Sequence, residues 1–208
     1  MILNKQTGEF CPVEFAPLTK EDLPLLTVRR GGWIFGARRW AAYLDKPDVF
    51  PVKMTLRNSD RIEGIVVYRN QPDMEGLFVL WIESAAHNRR FDESGDPDFD
   101  HVVESLLAYT CSRSYEWGYD YFIALQCMGH PILHAFYRKL GLMELPFNRY
   151  MGVMQMPEKF KSEPAETSLQ TIADLTAGGK LVAVVGPEGI SAEDAGKILE
   201  WKRGRERN

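Results

Sequence analysis

Three kinds of residue in this chain have types and spacing that bear on chemistry. The first is a phenol. In His134-Ala135-Phe136-Tyr137-Arg138-Lys139-Leu140-Gly141-Leu142, Tyr137 carries the titratable hydroxyl in a stretch that otherwise packs. The second is a carboxylate. Glu83 lies near the end of the apolar run Leu77 to Ser84. Half-buried among Trp81, Ile82 and Ala85, its carboxyl is expected to titrate above the usual range, because burial disfavours the charged form. The third is a charge pattern: Arg89 and Arg90, followed by Asp92, Glu93, Asp96, Asp98 and Asp100. The arginines either clamp an anion such as a phosphate or pair with the acids beside them. Asp96-Pro97-Asp98-Phe99-Asp100 has the opening spacing of a calcium loop. His101 stands where the sixth-position glycine belongs, however, and Leu107 where the closing glutamate belongs. Acids gathered at a helix N-terminus are the simpler account, and no metal site is expected. Cys11, Cys111 and Cys127 fit no metal spacing and leave one thiol over in any disulfide scheme. His87 and His134 have no partner visible in the sequence and read as loop or surface residues.

The elements that position these residues follow from periodicity and punctuation. Residues 1–17 read as irregular, with Pro12 and Pro17 as breakers. Thr19 with Asp22 three residues on is a weak capping box. Trp33, Ala37, Trp40, Ala41 and Leu44 recur at helical spacing, which predicts a helix over 33–44, with Arg38 and Arg39 off its apolar stripe. Three strands are expected next, over 52–57, 61–69 and 77–84. The last is apolar on both faces and so central in its sheet. Residues 101–117 read as a helix capped by Asp98 or Asp100 and stopped by Gly118. A strand over 119–127, a helix running from His130-Pro131 to Gly141, and a closing strand over 149–156 complete the order. Gly141 suits a left-handed C-terminal cap, and Arg138 and Lys139 suit the negative end of the helix dipole. Strand, helix and strand in succession require a parallel pairing, so the sheet is mixed. The expected class is α/β (α+β), a mixed, mostly antiparallel central sheet flanked by helices.

The tail reads separately. Residues 157–168 are polar, contain Pro157 and Pro164, and form a linker. Residues 169–208 hold a short strand, Lys180 to Val185, and a last helix carrying Ile198, Leu199 and Trp201. This appendix is too small for a core of its own and must pack on residues 1–156 or on another chain. A strand that pairs across a homodimer stays open.

Composition bounds the partners. The chain has 208 residues, 45% of them hydrophobic and 26% charged, with a formal net charge of -4. An acidic balance argues against nucleic acid or an anionic membrane as the main partner. No apolar run reaches a membrane-spanning length, and residues 1–5 lack the long apolar stretch of a signal peptide. Free thiols point to a reducing cytoplasm.

The element order, together with Phe136-Tyr137-Arg138-Lys139-Leu140-Gly141-Leu142, resembles the GNAT superfamily of acyl-CoA-dependent N-acyltransferases, whose late helix ends aromatic-Tyr-x-x-x-Gly-aliphatic. Glu83-Ser84-Ala85-Ala86-His87-Asn88 also resembles a Glu-x-Ala-Pro-x-Asn pattern of some bacterial members, with Ala86 in place of the proline. The likeness covers roughly residues 50–156. It implies that two central strands splay and that the arm of acetyl-CoA or another acyl-CoA lies between them, against Ile82, Ser84 and Ala85. A backbone N–H there would stabilise the oxyanion of the tetrahedral intermediate. Glu83 would take the proton of a small-molecule or peptide amine, and Tyr137 would protonate the leaving thiolate. His130 stands where the family places a cofactor-contacting Asn, and it equally suits the cap of its own helix. Trp33, Trp40 and the Arg38–Arg39 pair would border the acceptor groove.

One departure matters. The family's pyrophosphate loop, Arg/Gln-x-x-Gly-x-Gly/Ala, places its glycines here at Asp100 and Val102, and neither is glycine. Five acids beside a pyrophosphate are electrostatically unfavourable. Either Arg89 and Arg90 hold the cofactor and the acids point outward, or the domain no longer transfers an acyl group and serves as a binding or interaction module.

Overall fold

β-Branched and aromatic residues dominate the centre of the chain, and that is where the main sheet forms. The computed structural model describes residues 1–28, 32–89, 97–126, 131–140, 142–145, 150–153, 184–185 and 191–206. In chain order the strands are β1 (Ile2–Asn4), β2 (Phe10–Cys11), β3 (Val13–Pro17), β4 (Val49–Leu56), β5 (Ile62–Gln71), β6 (Gly76–Ser84), β7 (Phe99–Asp100), β8 (Ile123–Gln126), β9 (Met143–Glu144), β10 (Tyr150–Val153) and β11 (Val184–Val185). The α-helices are α1 (Ala37–Leu44), α2 (Val102–Glu116), α3 (Pro131–Lys139) and α4 (Ala192–Glu206). The main sheet runs β3-β4-β5-β6-β8-β10-β9, and β11 joins it on β6. β6 and β8 are parallel and the other pairs antiparallel. This is the mixed, mostly antiparallel sheet flanked by helices that the sequence implies.

β6 is buried along its whole length, as a strand covered on both faces must be. On one face Leu77, Val79 and Ile82 pack with Val102, Val103, Leu106 and Leu107 of α2 and with Phe136 and Tyr137 of α3. On the other, Phe78, Leu80 and Trp81 pack with Trp33, Trp40 and Tyr43 and with Ala195 and Ile198 of α4. The tail helix therefore covers the main domain. Its Lys202 ammonium donates to the Glu75 carbonyl at 3.2 Å, and Arg203 donates to the Glu75 carboxylate at 2.8 Å. Ser191 Oγ accepts the Asp194 N–H at 3.1 Å and caps its start.

Three expectations are corrected. Residues 1–17 are not irregular: β3 pairs with β4 as an outer strand, where Pro17 is tolerated, and β1 builds a small sheet β2-β1-β7 with the last two residues of the acidic loop. The first helix begins at Ala37 rather than at Trp33, since the N–H groups of Ile34 and Phe35 are drawn to a side chain described below. The cap of α2 is His101, at φ 68°, in place of Asp98 or Asp100. Asp98 instead meets Arg61 at 3.3 Å, and Asp100 meets Lys5 at 3.2 Å. Thr19 and Asp22 do form their turn: the Thr19 N–H donates to the Asp22 carboxylate at 2.8 Å. Residues 157–168, the expected linker, lie outside the described residues.

Candidate functional site

β6 is the element around which the candidate site forms, and it changes character half-way. Among the described residues its ladder with β8 pairs Leu77 with Ile123, Phe78 with Ala124 and Val79 with Leu125, and goes no further. At that point its register with β5 also shifts: Val67 faces Trp81 while Tyr68 faces Val79, which leaves Leu80 as the extra residue of a bulge. A bulge bends a strand and increases its twist, so β6 leaves β8 beyond Val79. The edge freed in this way is occupied at two positions, because Val184 pairs with Ile82 and Val185 with Trp81. β11 and the arm of a thioester cannot both hold that stretch of β6.

Beyond the bulge lie the residues singled out in the sequence. Glu83 is fully buried. Its Oε1 accepts the Ile34 N–H at 2.5 Å and its Oε2 accepts the Phe35 N–H at 3.2 Å. Burial pushes its carboxyl up to about 7, against the opposing pull of those two N–H groups and of Arg89. Ser84 Oγ is buried and finds no hydrogen-bond partner among the described residues. The Ala85 N–H donates to the Glu63 carbonyl at 2.9 Å, so it is committed to β5 and does not point to an oxyanion. Arg89 turns inward: it lies 3.7 Å from Glu83 and donates to the Gly32 carbonyl. A phosphate reaching it has to displace both. Arg90 and His130 lie outside the described residues. Tyr137 is on the α2 face of the sheet, fully buried, with its ring edge-on to Phe136 at 5.4 Å. Its carbonyl accepts the Leu142 N–H at 3.0 Å, the six-to-one bond that closes a helix C-terminus.

A group missed in the sequence lies beside these. Glu63, on β5, is fully buried and accepts three charged or polar donors: Arg61 Nε at 2.7 Å, Asn88 Nδ2 at 2.8 Å and His87 Nε2 at 2.7 Å. These hydrogen bonds hold its carboxyl below the usual range despite its burial. His87 and Asn88 sit in a short 3-10 turn directly after β6. His87 is thus no isolated loop histidine. The available signal was Glu63 itself, a carboxylate inside an apolar strand, which has to find partners. His134 also has partners, since it and Arg138 both reach Glu144.

Next to this group a cleft of about 500 Å³ opens between Leu25 and Trp33 on one side and Asp60, Arg61, Ala86 and His87 on the other. Trp33 is the one residue of the expected acceptor border that lines it. Trp40 is core, with its Nε1 donating to the Phe35 carbonyl at 2.9 Å, and Arg39 lies over the Trp81 ring at 4.4 Å.

The side chains at the start of α2 are engaged within the protein. His101 is buried there and faces Glu104 at 3.4 Å; Glu104 is a buried carboxylate in the first turn, and Ser105 Oγ donates to the Met1 carbonyl at 2.7 Å. The β1–β7 pair lies directly before this turn.

No protein-family model matches the chain, and no curated protein does. Among solved structures, the ribosomal-protein-S18-alanine N-acetyltransferase from Escherichia coli matches at 13% identity and a TM-score of 0.49, over 70% of this chain and 96% of that one. The IAA acetyltransferase from Bacillus cereus ATCC 14579 matches at 14% and 0.46, over 68% and 99%. A nucleotide-linked sugar GNAT matches at 12% and 0.46, over 79% and 95%. Among the described residues the sheet holds one parallel pair, β6 with β8, and helices flank it. At these identities and TM-scores neither a family nor an activity is carried over from those proteins. Among the described residues no helix is long and apolar enough to cross a membrane.

Proposed function

We propose that this protein is an N-acyltransferase that moves an acetyl or acyl group from acyl-CoA to a small-molecule or peptide amine. The observation that supports this most is the parting of β6 from β8 at the Leu80 bulge; separately, a cleft opens beside Ala85 and Ala86, just past the end of β6. The thioester would lie along β6 at Ile82 to Ala85, with the unpaired Ser84 hydroxyl as a further contact. The amine would enter from the cleft. Glu83, with a carboxyl near neutrality, is suited to holding a proton behind the reacting atoms, and Tyr137 remains the candidate acid on the opposite face. The test is release of the free CoA thiol from acetyl-CoA over a panel of amines. Amine-dependent release supports the proposal, and its absence from the whole panel refutes it.

A second function has its own support. β11 on the freed edge, Arg89 turned to Glu83 and the engaged side chains at the start of α2 support a protein that binds a partner without transferring an acyl group. Any ligand that binds only the folded state raises the melting temperature as its concentration rises. No shift at millimolar CoA favours this second function.

A further inference from the structure

His87 joins two observations that the acyltransferase proposal leaves unused: it lines the cleft, and a buried carboxylate holds it. Glu63 Oε2 lies 2.7 Å from His87 Nε2, and the hydrogen bonds from His87, Asn88 and Arg61 keep Glu63 ionised. An ionised carboxylate accepts hydrogen bonds only, so in the neutral imidazole Nε2 carries the proton and Nδ1 keeps its lone pair. The imidazole is thereby fixed in the tautomer of a proton acceptor, with a negative charge behind it to stabilise the imidazolium once formed. Glu83, by contrast, is sealed: both of its oxygens accept backbone N–H bonds and nothing of it is exposed. His87 remains about a third exposed. Apolar Leu25, Trp33 and Ile62, the carboxylate of Asp60 and the guanidinium of Arg61 complete the cleft, which suits a polar amine with an apolar body.

We propose that this cleft is the acceptor site and that His87, positioned by Glu63, takes the proton of the acceptor amine. The proposal rests on the acyltransferase function for its electrophile. In the step, the amine nitrogen bonds to the thioester carbonyl carbon while its proton passes to His87 Nδ1. The tetrahedral intermediate then collapses, the C–S bond breaks, and the thiolate leaves with a proton returned from the site. The products are the amide and the free thiol. The charged groups around His87 are Glu63 of β5, Asp60 and Arg61 just before β5, Asp98 just before β7, and Arg89 and Glu83 behind it.

Two measurements test this on the intact chain. In the first, tyramine and a tripeptide with a free N-terminus are titrated into protein carrying 15N-labelled histidine, with the His87 signals assigned from His87→Gln. A saturable shift of the His87 ring nitrogens is expected, and an unmoved His87 at millimolar probe overturns the cleft as an amine site. In the second, CoA release is followed against pH. His87→Gln is expected to lower kcat on the order of a hundredfold with little change in KM. Glu63→Gln is expected to move the acid limb of kcat/KM to lower pH, since removing the carboxylate disfavours the imidazolium. A Glu63 that is only structural would change the melting temperature and leave the limb in place. Turnover unchanged in His87→Gln overturns the assignment and leaves acyl transfer standing. No turnover in the wild-type chain, together with a saturable His87 shift, overturns the transfer step and keeps the amine site.

Discussion

Glu83 and Ile34 are joined across 49 positions of sequence by a 2.5 Å hydrogen bond, in which the Ile34 N–H donates to Oε1. With the Phe35 N–H on Oε2, one buried carboxylate holds the backbone turn that leads into α1. That same turn carries Trp33 to the rim of the cleft. The side chain of β6 that the sequence marks as the candidate base is therefore also the anchor of the acceptor wall.

This gives a pH dependence of stability with a definite sign. Burial raises the Glu83 carboxyl from 4.5 to about 7, so between those values the folded chain binds a proton that the unfolded chain has lost. Stability from this group is present below about pH 4.5, falls as pH rises, and is gone above about 7. The full change is roughly 3 kcal/mol at about 1.4 kcal/mol per pH unit. Denaturant unfolding of wild-type and Glu83→Gln protein between pH 5 and about 8 checks this. The difference between the two curves should slope in this window. A flat difference means that Glu83 is ionised throughout.

Arg89 makes the second prediction. Its guanidinium is 3.7 Å from Glu83 and donates to the Gly32 carbonyl, with its side chain largely buried. The positive charge pulls the Glu83 carboxyl down, so Arg89→Ala should raise it further above about 7. Carbonyl 13C titration of Glu83 reads this directly. The same variant should leave CoA affinity unchanged, because the arginine is already engaged. A clear loss of CoA affinity would return Arg89 to the phosphates.

Much of this fold was legible in the sequence because it follows from periodicity. The all-apolar run Leu77 to Ser84 is the fully buried β6, and Ser191 and Ile198 mark the start and the inner face of α4. What escaped depends on long-range pairing. Phe99 and Asp100 form a strand only because β1 lies beside them, and Ile34 and Phe35 leave the helix because Glu83, distant in sequence, draws their N–H groups, while the Trp33 N–H donates to the Thr27 carbonyl. The site was read in halves for the same reason. Glu83 stands out as a carboxylate ending an apolar strand, whereas the Glu63–His87 pair joins β5 to the turn after β6, and no local spacing reveals it. The occupation of the β6 edge by β11 could not be read either, since a short strand carries no mark of which edge it will take.

Gly64 makes the third prediction, on packing. It faces Ser84 across β5 and β6, and α2 crosses directly above it. A Cβ there would meet Leu106 Cδ1 and Val102 Cγ1 at 2.9 Å and the Glu83 carbonyl at 3.2 Å. The first two atoms belong to buried side chains of α2, and the third is backbone, so the helix has to move. Gly64→Ala should cost about 1–3 kcal/mol, as overpacking of a filled core does. Because Glu63 is the next residue, the shift should also loosen the His87 contact, visible as a change in the His87 ring nitrogen shifts. A variant as stable as wild type would mean that α2 packs more loosely above β5 than its side chains indicate.

The fourth prediction separates the two proposed functions at the β6 edge. Val184 and Val185 add a strand to Ile82 and Trp81, on the side opposite β5. Proline has no N–H, so Val184→Pro with Val185→Pro removes the one donor that a two-residue β11 turns to β6, whichever residue carries it. Ladder hydrogen bonds contribute about 1 kcal/mol each. If a thioester arm binds the same edge, its release from competition should tighten CoA binding by roughly fivefold. Isothermal titration with CoA and with acetyl-CoA reads the gain, and α4 remains in place to cover the other face of the sheet. Tighter binding, with CoA release rising in parallel at low substrate, is the result expected of an acyltransferase whose own tail contests its donor site. Affinity that is absent in both proteins, with the double variant merely less stable, is the result expected of a sheet completed by β11 for good.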